Sequence, residues 1–134
     1  MPHSRLYYHV IWGTKNREPI ITFKIEPLLF DFIRSKAIGL GGYLYALNGT
    51  EDHVHLVTHI PRTITVSQYI GKIKGSSSTR INKSGVDEGQ FYWQSGYSIF
   101  TVSEFMVSKL TKYVENQKDH HAVGSIKSWF ELKK

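Results

Sequence analysis

The run His53-Val54-His55-Leu56-Val57-Thr58-His59-Ile60 constrains this chain more than any other stretch. Alternate residues of a strand share a face, so Val54, Leu56, Thr58 and Ile60 make a good core face. His53, His55, Val57 and His59 make the other. A strand with one apolar face needs a sheet and a covering layer. The imidazole face needs a separate explanation, because valine or leucine would pack there at less cost.

The flanking segments supply the sheet. Residues 4–14, SRLYYHVIWGT, are rich in aromatic and β-branched side chains and read as a strand. Residues 26–42 carry Leu28, Leu29, Phe32, Ile33 and Ile38 at helical spacing, with Pro27 suited to a first turn and Gly39 to an end. Residues 42–50 form a second strand closed by the turn signal Asn48-Gly49, so 53–60 follows as the other arm of a hairpin. Pro61 ends that arm. Thr65 and Gln68 then fit a capping box opening a helix over 66–82. Residues 91–102 read as a fourth strand bent at Gly96. Ser103, or Thr101 with Glu104, caps a last helix over 104–119. The tail has an amphipathic end. The order is βαββαβ plus a C-terminal helix: a single α+β domain over 1–134, ferredoxin-like or RRM-like, an antiparallel sheet with helices on one face. Many unrelated activities use that layout, so function has to come from a site.

Composition narrows the field. The chain has 134 residues and no cysteine, which excludes disulfides and thiolate metal sites. It has no apolar signal core and no run long enough to span a membrane, which suits a cytoplasmic protein. Seventeen Lys and Arg against eleven Asp and Glu, a formal charge of +6, favour a polyanionic partner, chiefly nucleic acid.

His53 and His55 have Cα atoms ~7 Å apart, close enough for both rings to converge on one ion. His59 lies ~13 Å beyond His55, too far for the same coordination sphere. Surface histidines on a half-exposed strand are the plainer reading of the same pattern. On the last helix, Val107, Leu110 and Val114 make an apolar stripe, and Tyr113 and Gln117 stack on adjacent turns beside it. That pair offers a phenol and a neutral amide oxygen, or an interfacial tyrosine with a solvated glutamine.

Taken together, these residues resemble a family. His53-Val54-His55 is similar to the histidine–hydrophobic–histidine signature of the HUH endonucleases. Tyr113 and Gln117 resemble the late-helix pair of the single-tyrosine HUH transposases of small bacterial insertion sequences. Further matches are YYHVIWGTKNREPII, GTEDHVHLV, SQYIGKIKGSSSTR, FYWQSGYSIFTVS and YVENQKDHH, nearly end to end. The REP-associated tyrosine transposases, a domesticated branch, share the core motifs.

The resemblance implies a DNA transposase that cleaves and rejoins single-stranded DNA at hairpin-marked ends. In that reading His53, His55 and Gln117 hold one Mg²⁺ or Mn²⁺ per site, and Tyr113 is the nucleophile that forms a 5′-phosphotyrosine link. The link conserves the phosphodiester bond energy, so ATP is not needed, and no Walker-type motif is present. The family also implies a homodimer that exchanges its last helices, with the fourth strands pairing across the dimer. Asp52 either holds a histidine ring or stabilises a turn. His9, His59 and His120 are candidate bases for the Tyr113 proton, none of them singled out. Lys72, Lys74, Arg80 and Lys83 follow the hairpin and could bind phosphates, with Arg5, Lys15, Arg17, Lys109 and Lys112 extending the track. Two rivals are a hydrolase using metal-bound water and a non-catalytic RRM-like module. The latter lacks the aromatic RNP1 pattern and leaves the four site residues without a joint role.

Overall fold

The computed structural model describes residues 6–86 and 89–118. Arg5, His120 and the amphipathic tail lie outside the described residues. The elements are β1 (Tyr7–Gly13), α1 (Glu26–Gly39), β2 (Tyr43–Gly49), β3 (His53–His59), α2 (Val66–Ser84), β4 (Ser98–Val102) and α3 (Val107–Glu115). The strands form one antiparallel sheet in the order β2-β3-β1-β4. β1 therefore lies between the two strands that α2 connects, and β3 between the two that α1 connects. This is the split βαβ arrangement expected from the element order.

The alternation along β3 sorts the layers as expected. Val54, Leu56 and Ile60 join Val10 and Trp12 of β1 beneath α1 and α2, where Leu29, Ile33, Tyr69, Ile70 and Ile73 complete the main core. Val57, on the other face, packs with Ala46 of β2 and with Leu110, Tyr113 and Val114 of α3. The sheet is thus covered on both sides: α1 and α2 on one, α3 on the other. Among the described residues no helix is long and apolar enough to cross a membrane.

The helix signals divide. Thr65 and Gln68 make the full capping box, and Pro27 sits in the first turn of α1. Gly39 is the last residue of α1, as expected, and the left-handed residue that follows is Gly41, with φ of 91°. The last helix is shorter than its periodicity predicts. Residues 104–106 form a 3₁₀ turn, Ser103 makes no side-chain cap, and α3 begins at Val107. Asn116 closes α3, and Gln117 and Lys118 keep helical backbone beyond it.

Two strand expectations need correction. Asn48 and Gly49 are not the hairpin turn: both pair with β3, opposite His55 and Val54, and the chain reverses over residues 50–52. Gly49 serves close approach instead, since a Cβ there would overlap the backbone carbonyl of His53. The fourth strand also covers only half of its predicted span. Residues 91–97 form an isolated bridge between Thr14 and Trp93 rather than a ladder. They meet β1 through the Gln94 N–H, which donates to the Gly13 carbonyl at 2.9 Å, and through the Trp93 ring against Trp12. Lys74 explains this, because its Nζ takes the carbonyls of Gln94 and Gly96, each at 2.7 Å. Burial pushes the Lys74 ammonium below its usual pKa. Phe91 is fixed separately by both polar atoms of Asn82, and Gly96 turns the chain with φ of 86°.

Tyr69 shows how tightly the main core closes. Its hydroxyl lies 2.8 Å from Thr58 Oγ1, and burial raises its pKa despite that bond. A Cβ on Gly42 would collide with this hydroxyl, whereas one on Gly71, inside α2, meets nothing. Gly42→Ala should therefore cost about 1–3 kcal/mol in urea unfolding. Gly71→Ala should stabilise by about 0.5–1 kcal/mol. Equal effects from the two substitutions would contradict this packing.

Candidate active site

β3 is a central strand, and its imidazole face is buried rather than half-exposed. His53 is 2% exposed and His55 0%. Their rings stand 5.1 Å apart with planes inclined by 60°. Buried imidazoles require hydrogen-bond partners, and each of these is held through Nδ1.

His53 Nδ1 lies 2.7 Å from Asp52 Oδ1. Thr50 Oγ1 is 3.0 Å from the same nitrogen, and Arg17 Nη2 is 3.2 Å from it. Arg17 also donates to Asp52 Oδ1 at 3.1 Å. Partial burial pushes the Asp52 carboxyl up, but the hydrogen bonds from His53 and Arg17 outweigh it and hold the pKa below the usual carboxylate range. An ionised Asp52 accepts the Nδ1 proton of His53, which leaves the lone pair of the neutral ring on Nε2. His55 Nδ1 lies 2.8 Å from His9 Nε2. Asp52 and His9 thus grip the two rings through the same ring nitrogen, from different strands and loops.

α3 covers this face. Tyr113 is 5% exposed and Gln117 0%. The end of the helix is anchored to β2 by Asn48, whose Nδ2 donates to the Glu115 carbonyl at 2.8 Å. Lys118 Nζ reaches Asn48 Oδ1 at 2.6 Å and Glu26 Oε1 at 3.0 Å. Asn48 is the register partner of His55, so the end of α3 bearing Gln117 is fastened beside the His55 row. His53, His55, Tyr113 and Gln117 therefore belong to one face of the sheet and its single covering helix. His59 lies at the far end of β3, where Nδ1 meets the Leu6 carbonyl at 3.2 Å.

The donor set suits a hard or borderline divalent ion. It comprises two imidazole nitrogens and one amide oxygen, all neutral. Among the described residues no group of three or more His, Cys, Asp or Glu is placed to hold an ion.

The basic candidates scatter. Arg17 joins the site through Asp52. Lys109 and Lys112 are exposed on α3. Lys72, Lys74, Arg80 and Lys83 sit on α2, across the sheet from the histidines. Of these, Lys74 is spent on backbone carbonyls, and Arg80 stacks 4.0 Å from the Phe32 ring centroid. Lys15 lies 5.7 Å from the Tyr92 ring centroid. His9 was one of three equivalent base candidates in the sequence; its strand position, on the same face as His55, is the signal that sets it apart.

These features place two buried histidines, a tyrosine and a glutamine together on one face of a ferredoxin-like sheet covered by helices on both sides. Residues 2–117 match the family described as transposase, IS200-like, and the chain belongs to that family of DNA transposases. The ISDra2 transposase TnpA of Deinococcus radiodurans is 29% identical over 120 residues, covering 86% of each chain. The transposase for insertion sequence element IS200 of Salmonella typhimurium is 22% identical over 122 residues, covering 87% of this chain and 80% of that one. A crystal structure from Deinococcus radiodurans R1, described as a transposase, superposes with a TM-score of 0.68 at 28% identity, over 87% of this chain and 93% of the other. A REP-associated tyrosine transposase bound to a REP hairpin shares the fold, with a TM-score of 0.68 at 14% identity over 90% and 74% of the two chains.

The Asn48 anchor is directly testable. Asn48→Ala removes the bond to the Glu115 carbonyl, and amides of residues 113–118 should exchange about tenfold faster while those of α2 do not change. Unchanged exchange in α3 would show that Asn48 does not fasten it.

Proposed function

We propose that this chain cuts and rejoins single-stranded DNA at hairpin-marked ends, with Tyr113 as the nucleophile. The observation that carries the reading is the pair of buried histidines, each held by Nδ1, beneath the helix that bears Tyr113 and Gln117. That arrangement gives a joint role to four residues that an RRM-like module would leave unexplained.

His53 and His55 would hold one Mg²⁺ or Mn²⁺ through Nε2, with Gln117 Oε1 as the third protein ligand. When bound, the ion supplies charge stabilisation to the oxygens of the scissile phosphate, and three neutral ligands leave it its full +2 charge. Tyr113 Oη attacks phosphorus, the bond to the 3′ oxygen breaks, and a 3′-OH leaves. The 5′ phosphate stays on Tyr113 until a second 3′-OH displaces it, so no nucleotide cofactor is consumed. A free phenol has a pKa of ~10, so Tyr113 must pass its proton on as it attacks. Burial of Tyr113 between α3 and the sheet keeps bulk water from competing for the intermediate.

The net charge of +6, with Lys109 and Lys112 exposed on α3, suits a single strand approaching this face. A relative of the same fold is bound to a REP hairpin, a ligand of the kind this reading expects. The working unit in this reading is a homodimer. β4 is an edge strand whose backbone groups suit pairing with a second copy, and α3 of one copy would complete the site of the other.

Incubation with hairpin-flanked single-stranded DNA and Mn²⁺ should give a covalent protein–DNA adduct on a denaturing gel. Chelation with EDTA should abolish it, as should Tyr113→Phe. His53→Ala or His55→Ala should slow it by at least about 100-fold. Cleavage by Tyr113→Phe at the wild-type rate would transfer the attack to water and reject the nucleophile.

A further inference from the structure

We propose that His9 is a positioning residue for His55: it fixes the ring's orientation and its tautomer, so that Nε2 is the nitrogen offered to the ion. The inference rests on the metal reading of the site given above. His9 is 1% exposed, and its Nε2 meets His55 Nδ1 at 2.8 Å. The two rings stack with centroids 5.0 Å apart and planes inclined by 25°. The register explains how they meet: Ile11 is opposite His55 and His9 is opposite Val57, so His9 is the diagonal neighbour of His55 on the same face. Phe100 of β4, opposite His9, backs its ring at a centroid distance of 6.3 Å.

The physical logic is a division between two holders. Asp52 grips His53 with a charged oxygen. His9 grips His55 with a neutral nitrogen. A neutral acceptor sets the Nδ1–H tautomer without placing a second negative charge beside the ion, so less of the ion's charge is cancelled before it meets a phosphate. An apolar residue at position 9 would fill the same space without offering that acceptor.

The test uses the full chain with ¹⁵N-labelled histidine. His9→Phe keeps a ring in the space and removes the acceptor. His9→Gln places an amide oxygen near the position of the lost Nε2. Ring ¹⁵N shifts, read without metal, should show wild-type His55 protonated on Nδ1 and that preference lost in His9→Phe. Mn²⁺ affinity by calorimetry should fall about 10–100-fold in His9→Phe and recover most of the way in His9→Gln. Thermal unfolding confirms that each variant is folded. Unchanged His55 tautomer and Mn²⁺ affinity in folded His9→Phe would overturn the proposal. Should His9→Phe not fold, a folded His9→Gln in which His55 moves its proton to Nε2 overturns it equally. A wild-type chain that binds no Mn²⁺ would defeat the metal reading alone, while the tautomer comparison would still decide the role of His9.

Discussion

The burial of β3 on both faces is the constraint from which the rest of the structure follows. A strand covered on one side can carry histidines into water at little cost. Here α1 and α2 close one face and α3 the other, so the imidazoles of His53 and His55 are enclosed. An enclosed polar group without a partner costs about 1–3 kcal/mol. Each ring accordingly comes with a partner on Nδ1, one from the hairpin turn and one from β1. Burial thus does two things at once: it demands the hydrogen bonds, and the hydrogen bonds set the direction in which the rings face.

Topology makes this possible with a short chain. The split βαβ order puts the N-terminal strand next to the hairpin strand, which is how His9 reaches a residue 46 positions away. The segment after β1 adds the charge. Asn16 and Arg17 both adopt left-handed backbone, with φ of 57° and 55°, uncommon for residues with side chains. The Asn16 N–H is held by Gln94 Oε1 at 2.9 Å and the Arg17 N–H by the Thr14 carbonyl at 2.9 Å. The strained pair aims the guanidinium at Asp52, where it helps keep that carboxylate ionised beside His53.

Local, periodic signals were legible in the sequence. The alternation along 53–60 separated the two faces of the sheet, Thr65 and Gln68 marked the start of α2, and the βαββαβ order predicted the sheet. The family resemblance agrees with the match over residues 2–117. Signals that depend on tertiary partners were less legible. Asn48-Gly49 has the composition of a turn, yet its function is to bring β2 close to His53 and to tie down α3, which only the packed structure reveals. The β-rich composition of 91–97 predicted strand, but Lys74 captures its carbonyls from a helix. The cap expected at Ser103 gave way to a 3₁₀ turn leading into α3. Basic residues were read as one track, whereas the fold divides them between two faces of the sheet.

The central proposal is geometric: His53 and His55, each held by Nδ1, would turn Nε2 toward one ion beneath α3. Crystals soaked in Mn²⁺ and measured at its absorption edge test it most directly. The account predicts one anomalous peak per site, ~2 Å from Nε2 of both His53 and His55, with Gln117 of the same or the exchanged helix beside it. A peak bound through either Nδ1, or Mn²⁺ bound elsewhere on the chain with this position empty, would contradict it.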